Sequence, residues 1–468
     1  MEIQQIYTNC LAQGAYYVQS EGEAAVIDPM REPRPYLQRA KEGGATIKFV
    51  FETHFHADFV SGHLDLAKQS GATIVYGPGA HTGYEKYEAQ DGEVFRVGAI
   101  TIQALHTPGH TPESTAYLLR DASGRPYAIF TGDTLFIGDV GRPDLAQQSG
   151  HSPEDMARAL YNSLREKIMP LPDDVLVYPA HGAGSACGKN MSAETWDTLG
   201  NQKRTNYALS EGLSVEAFVA AVTEGLQPPP PYFAQNAELN KSGYAALDEV
   251  KEKGLRALEP DAFEALATAA RALVLDVREK SIFSKGFVPG SIFIGLEGNF
   301  ASWSGTLISD LQQPILLVAP EGQEEEAVER LARVGYTHTL GYLKGGFEAW
   351  EAAGREIDAI ETIGVAAFGA DYESGQVEHV VDVRRPEEYE AGHVAGAQLL
   401  TLETINGHLH EVQPGKRTYL HCRSGYRSTI AASILKARGL HTVVNLHGMV
   451  DELLGCGLPA VFPEVEGQ

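Results

Sequence analysis

The sequence predicts an α/β protein of three domains, and three observations carry that prediction. Short β-rich runs alternate with helical stretches over the first ~225 residues. A proline run, Gln227-Pro228-Pro229-Pro230-Pro231-Tyr232, then interrupts the chain. Beyond it, Leu273-Val274-Leu275-Asp276-Val277-Arg278 is repeated as Val380-Val381-Asp382-Val383-Arg384, with 106 residues between Asp276 and Asp382. A chain of 468 residues agrees with that count at about 150 residues per domain.

In chain order, the first domain shows strand-like runs such as Ala24 to Asp28, Ile47 to Glu52, Thr73 to Tyr76, Ile100 to Leu105, Ala128 to Phe130 and Val175 to Tyr178. Proline lacks the N–H and fixes φ, so the run at 227–232 reads as a stiff polyproline II connector, or as a ligand for a Pro-recognising partner. The 106-residue offset also matches Gly286-Phe287-Val288-Pro289-Gly290 with Gly392-His393-Val394-Ala395-Gly396, and a gap of three brings Ala319 opposite Cys422. Two homologous α/β modules are therefore expected, meeting near Glu356 to Thr362. The expected boundaries are 1–235 for the first domain, 236–258 for a linker, and 259–358 and 362–468 for the two modules.

Composition narrows the function. A chain 43% hydrophobic and 21% charged has ample core for a soluble globular protein. Its 37 Lys plus Arg against 62 Asp plus Glu give a net charge of -25, a mean field that repels phosphate backbones and anionic lipids. Neither nucleic acid nor membrane is an expected partner. Cys10, Cys187, Cys422 and Cys456 are widely spaced, without disulfide-scaffold density or CxxC spacing, and read as reduced thiols. No basic stretch leads into an apolar one at the N-terminus and no apolar run approaches ~18 residues, so a cytoplasmic protein is expected.

The strongest chemical signal is Thr53-His54-Phe55-His56-Ala57-Asp58-Phe59, directly after the apolar run ending at Phe51. The ends of strands are rigid places from which α/β sheets present chemistry. His110 in Thr107-Pro108-Gly109-His110, Asp133 in Thr131-Gly132-Asp133 and His181 after Tyr178 follow strands in the same way. Four strand ends thus converge on one predicted pocket.

In this order THFHAD, TPGH, TGD and PAHG resemble the metallo-β-lactamase superfamily, which implies an αβ/βα sandwich. The superfamily's dinuclear hydrolases carry HxHxDH, whose last histidine holds a second metal; Phe59 stands there and cannot coordinate. TPGHTPES, TGDTLF and GDVGRPDL resemble the persulfide dioxygenase branch, which implies one Fe(II) per chain on His54, His110 and Asp133. Two imidazoles and one carboxylate leave three positions open for substrate and O₂, as non-haem iron uses them, whereas zinc favours a closed or hydrolytic tetrahedral site. His56, Asp58 and His181 are then expected to orient ligands, bind water or accept a proton. Arg142 would neutralise a carboxylate of the thiol substrate or pair with Asp144, and Cys187 would carry persulfide sulfur or be a buried inert thiol.

In the last module Tyr419-Leu420-His421 leads into Cys422-Arg423-Ser424-Gly425-Tyr426-Arg427-Ser428, with a helix expected from about Thr429. Backbone N–H groups, the helix dipole and the cations Arg423 and Arg427 would hold a thiolate and then a persulfide. Only four residues separate Cys422 from Arg427, a smaller ring than the five-residue spacing suited to phosphate. With Asp382-Val383-Arg384 and Glu388 to His393 this module resembles the rhodanese family, which implies that Cys422 is the sulfur-carrying nucleophile. The middle module, ending in Gly345-Gly346-Phe347-Glu348-Ala349-Trp350, is also rhodanese-like, but its loop reads Ala319-Pro320-Glu321-Gly322-Gln323-Glu324. Without a thiol, it is expected to be structural or a docking module, with Asp276 and Arg278 as fold determinants.

The three-part order resembles bacterial persulfide dioxygenase and sulfurtransferase fusions of sulfide detoxification. This implies oxidation of a glutathione, coenzyme A or similar persulfide by O₂ to sulfite, rhodanese exchange between sulfite and thiosulfate, and a homo-oligomeric assembly. The competing readings are a zinc-dependent glyoxalase II-type thioesterase and a non-catalytic persulfide carrier or sensor.

Overall fold

A computed structural model describes residues 1–145, 150–455 and 457–463. The chain folds as two compact units, one of Met1–Glu249 together with Leu331–Gly335, the other formed by the rest from Val250. Cys456 lies outside the described residues, and no disulfide joins Cys10, Cys187 and Cys422. No helix among the described residues is long and apolar enough to cross a membrane.

In the first unit, two six-stranded sheets face each other. One runs β1 (Glu2–Thr8), β2 (Gln13–Ser20), β3 (Glu23–Ile27), β4 (Thr46–Phe51), β5 (Thr73–Tyr76) and β6 (Tyr87–Glu88). The other comprises β7 (Val94–Val97), β8 (Ile100–His106), β9 (Thr115–Arg120), β10 (Pro126–Gly132), β11 (Leu176–Pro179) and β12 (Asp197–Thr198), in sequential order. Alternation along β2 shows how sequence makes the layers. Tyr16 and Val18 join Phe51, Tyr117 and Phe130 between the sheets, while Ala15 and Tyr17 face the opposite side and pack with Tyr36, Ala40 and Leu66 of the covering helices. On the outer face of the second sheet, Leu118 and Ile129 meet Leu160, Leu164 and Phe218. Helices therefore cover both outer faces, as an αβ/βα sandwich requires. The expected strands match β3, β4, β5, β8, β10 and β11 to within one or two residues at their ends.

The proline run has no regular secondary structure. Residues 236–258, expected to be linker, instead contain most of helix Phe233–Ser242 and the helix Leu247–Gly254. Asn236 and Asn240 are fully buried, so a segment polar in composition has an inward face.

The second unit holds two five-stranded parallel sheets of the same strand order. The first is β13 (Ala257–Leu258), β17 (Thr339–Leu343), β16 (Ile315–Val318), β14 (Leu273–Asp276) and β15 (Ile292–Phe293). The second is β18 (Glu361–Gly364), β23 (Val443–His447), β22 (Thr418–His421), β19 (His379–Asp382) and β21 (Gln398–Leu399). β20 (His393–Val394) and β24 (Ala460–Val461) pair separately. Parallel strands covered on both faces are continuously buried, as β16 and β22 are at all four positions. The loops that follow them are those of Ala319 and Cys422.

Candidate metal centre and sulfur-transfer loop

Phe51 ends β4 and the chain turns at once through Thr53 to Phe59. Asp28, at φ 49° just after β3, accepts hydrogen bonds from Thr53 N at 2.7 Å and Thr53 Oγ1 at 2.9 Å. Thr53 Oγ1 in turn lies 3.0 Å from His54 Nδ1, which leaves Nε2 of that ring to face the pocket. Asn240 closes the loop from below, its Nδ2 donating to His56 O and Phe59 O at 2.7 Å each while its Oδ1 accepts from Ser61 N at 2.9 Å. Nothing in the local sequence announces Asn240, because it acts from about 180 residues away through ordinary amide chemistry.

His110 follows β8. Its Nδ1 is 2.8 Å from Arg142 O, a carbonyl that can only accept, so Nδ1 carries the proton and Nε2 keeps its lone pair for a metal. Gly141 allows this approach, since a Cβ there would overlap Asp133 O and crowd His110 Nδ1. Asp133 follows β10, with Oδ2 3.3 Å from His110 Nε2 and 3.7 Å from His54 Nε2. His54, His110 and Asp133 are all buried, and their ligand atoms lie within 4.8 Å of one another. His54 Nε2 and Asp133 Oδ2 have no hydrogen-bond partner among the described residues. Two such polar atoms without partners are costly in a protein interior, and a divalent cation between them removes that cost. The donor set fits a metal ion and is the two-histidine, one-carboxylate set.

The electrostatics agree. Burial alone would raise the Asp133 carboxyl, yet His181, His110 and His54 outweigh it and hold it far below the usual carboxylate range. Burial, followed by His56, lowers His54 well below its ordinary value, so it is the neutral imidazole a metal needs. His181 is the opposite case. Burial would lower it, but Asp133 and Asp58 push it well above the ordinary histidine value. Its Nδ1 is 2.8 Å from Asp133 Oδ1 and its Nε2 is 2.8 Å from Asp58 Oδ2, so it links the two carboxylates.

Asp58, His181 and Cys187 form a second buried group within the same 4.8 Å limit. Burial first, then Asp133 and Asp58, push the Cys187 thiol well up. The structure thus brings Cys187 to the pocket in surroundings that disfavour its thiolate. His56 turns elsewhere, 3.1 Å from Asp28 Oδ1 and 3.6 Å from Glu52 Oε2, with Phe59 at 4.4 Å between ring centroids. Burial and the charge of Asp28 raise Glu52 well above its usual range. Of the two roles expected for Arg142, the ion pair is the one observed. Nε and Nη2 bind Asp144 at 2.6 and 2.7 Å, and Nη2 also reaches Gln227 O at 2.7 Å.

The second candidate centre follows β22. Cys422 is 3% exposed, and Gly425 N donates to its Sγ at 3.2 Å. Gly425 takes φ 89°, a left-handed conformation natural to glycine, and helix Tyr426–Ala437 starts directly after it. The two cations expected at the cradle differ in their surroundings, and the charge of Arg427 acts on Cys422. Arg427 is held bidentately by Glu388 at 2.6 and 2.7 Å, and Arg423 is exposed. The hydrogen bond from Arg427, against some desolvation, pulls the Glu388 carboxyl down to about 2.

The fold and sites thus define a metallo-β-lactamase-fold domain followed by two rhodanese-like domains. The metallo-beta-lactamase superfamily pattern matches residues 9–181, and the rhodanese-like domain pattern matches 259–353 and 366–454. The mitochondrial persulfide dioxygenase ETHE1 of Homo sapiens is 33% identical over 205 residues, which are 42% of this chain and 70% of that protein. The probable hydroxyacylglutathione hydrolase glo2 of Schizosaccharomyces pombe is 34% identical over 161 residues, 34% of this chain and 58% of its own length. The crystal structure of a metallo-beta-lactamase from Staphylococcus aureus subsp. aureus COL is 33% identical with a TM-score of 0.64, covering 73% of this chain and 98% of that one. The chain belongs to the persulfide dioxygenase–rhodanese fusion family.

Proposed function

We propose that the chain oxidises a low-molecular-weight persulfide with O₂ at one iron held by His54, His110 and Asp133, and passes sulfane sulfur through Cys422. The observation that carries this reading is the buried two-histidine, one-carboxylate group with Phe59 where dinuclear relatives need a histidine. Iron(II) supplies redox chemistry that lets O₂ combine with sulfur. The overall balance is one persulfide, one O₂ and one water giving thiol, sulfite and two protons. Thr53 and Arg142 O fix the two imidazole rings, and His181 stores a proton between Asp133 and Asp58. At Cys422, sulfite attacks the outer sulfur of the cysteine persulfide. A new S–S bond gives thiosulfate, the old one breaks, and the electron pair returns to Cys422 Sγ, facing Gly425 N–H.

A zinc-dependent thioesterase is the second reading, favoured by the hydroxyacylglutathione hydrolase relatives and by the Asp58, His181 and Cys187 group as a place for another ion. Metal content and O₂ uptake with glutathione persulfide separate the two. One iron with sulfite formation supports the first, and two zinc ions with thioester hydrolysis support the second. A cytoplasmic location and a homo-oligomeric state belong to the same proposal.

A further inference from the structure

We propose that Lys280, in the cysteine-free module, is a positioning residue of the sulfur-transfer loop in its neighbour. Lys280 Nζ donates to Ser424 O at 2.7 Å, and Gly425 N donates to Cys422 Sγ at 3.2 Å. Ser424 C=O and Gly425 N–H belong to one peptide group. In a planar trans peptide they point in opposite directions, so a cation that fixes the oxygen also fixes the direction of the N–H toward sulfur. The ammonium polarises the same group, and a polarised amide is a better donor to an anionic sulfur. Lys280 thereby adds through one peptide to the positive influence of Arg427, which Glu388 binds bidentately and whose charge also acts on Cys422.

The neighbouring contacts fix the lysine in place. Tyr426 OH donates to Gly295 O at 2.7 Å, and Phe293 N donates to Ser433 Oγ at 3.0 Å, so the end of β15 in the same module is tied to the helix that follows the Cys422 loop. Lys280 begins helix Lys280–Lys285, and Arg278 two residues before it is locked to buried Asp276. The repeat makes the residue distinctive, because Pro386 occupies the equivalent position in the last module. A module without a thiol thus retains its aspartate–arginine frame and presents a lysine to the module that has one.

The inference rests on the sulfur-transfer reading of Cys422, and its test separates the two. Full-length Lys280→Met and Lys280→Arg proteins are compared with wild type and with Lys285→Met, a control on the exposed end of the same helix. Iodoacetamide labelling of sulfur-free Cys422 is followed by peptide mass spectrometry, alongside thiosulfate:cyanide transfer and thermal melting. For Lys280→Met, labelling slows several-fold and kcat/KM for transfer falls by about tenfold, the order expected for one charge-assisted hydrogen bond. Lys280→Arg recovers most of both losses, and melting is unchanged. Wild-type labelling in Lys280→Met, or a loss that tracks a lowered melting temperature and is not recovered by arginine, overturns the proposal. If wild-type protein transfers no sulfur, the reading of Cys422 fails, and the labelling comparison still decides the role of Lys280.

Discussion

In the middle module, Arg278 Nε binds Asp276 at 2.9 and 3.0 Å and its Nη2 reaches Gly286 O at 2.8 Å. In the last, Arg384 Nε binds Asp382 at 2.9 Å twice and its Nη2 reaches Gly392 O at 2.7 Å. Gly322 and Gly425 share a left-handed φ of 84° and 89° in the loops after the corresponding strands. The frames are the same and the loops are not. Ala319 stands for Cys422, Pro320 for Arg423 and Glu324 for Arg427, while Ile282 stands for Glu388. The comparison teaches that the aspartate–arginine clamp is common to both modules, whereas the loops after the matching strands differ in the few side chains on which the proposed sulfur transfer depends.

The largest expected effect comes from removing the thiol. Cys422→Ser lowers thiosulfate:cyanide transfer by at least about 10³-fold, because a hydroxyl leaves almost no anionic nucleophile at neutral pH. Transfer at the wild-type rate would make Cys187 or another thiol the carrier. Next come the clamps. Asp276→Asn and Asp382→Asn each leave a buried arginine without its charge partner and should cost about 3 kcal/mol of unfolding free energy, read from denaturant melts of the full chain. Unequal losses would show that one clamp has a task beyond the fold.

A smaller effect distinguishes the modules by pH. The folded Glu388 carboxyl is held at about 2, below its ordinary value, so its pair with Arg427 contributes stability above pH ~4.5. That contribution is lost as pH falls from about 4.5 toward 2. Glu388→Gln should flatten the acid melting profile in that window, and an unchanged slope contradicts the pair. The smallest expected change is none. Ala319→Cys added to Cys422→Ser stays at background in thiosulfate:cyanide transfer, since Pro320 removes a backbone donor and Glu324 places a carboxylate where Arg427 stands. Turnover above background would show that the middle loop retains an anion cradle.

The strand-end motifs were readable because a metal ligand or a sulfur nucleophile must be one of a few residue types, and a buried strand shows as an apolar or alternating run. His54, His110, Asp133 and Cys422 each carry both marks. Asn240 and Lys280 carry neither, and Asp28 and Glu388 are carboxylates whose partners lie in other loops. They are common polar residues that gain meaning only when folding brings them to a loop distant in sequence. Arg427 was readable as a cation near Cys422, but not as the partner of Glu388, because local spacing does not show which carboxylate the fold delivers. The same holds for helix Phe233–Ser242, which reads as a linker until the His54 loop supplies partners for the buried Asn240.

The central claim is that two chemistries reside in two frames, oxidation at the histidine–aspartate centre and sulfur transfer at Cys422. One measurement tests it most directly: metal content, O₂ uptake and sulfur products for wild type and Cys422→Ser given glutathione persulfide. One iron per chain and equal O₂ uptake are expected in both, with the product shifting from thiosulfate toward sulfite in Cys422→Ser. Two zinc ions per chain, thioester hydrolysis and no O₂ uptake would contradict the account.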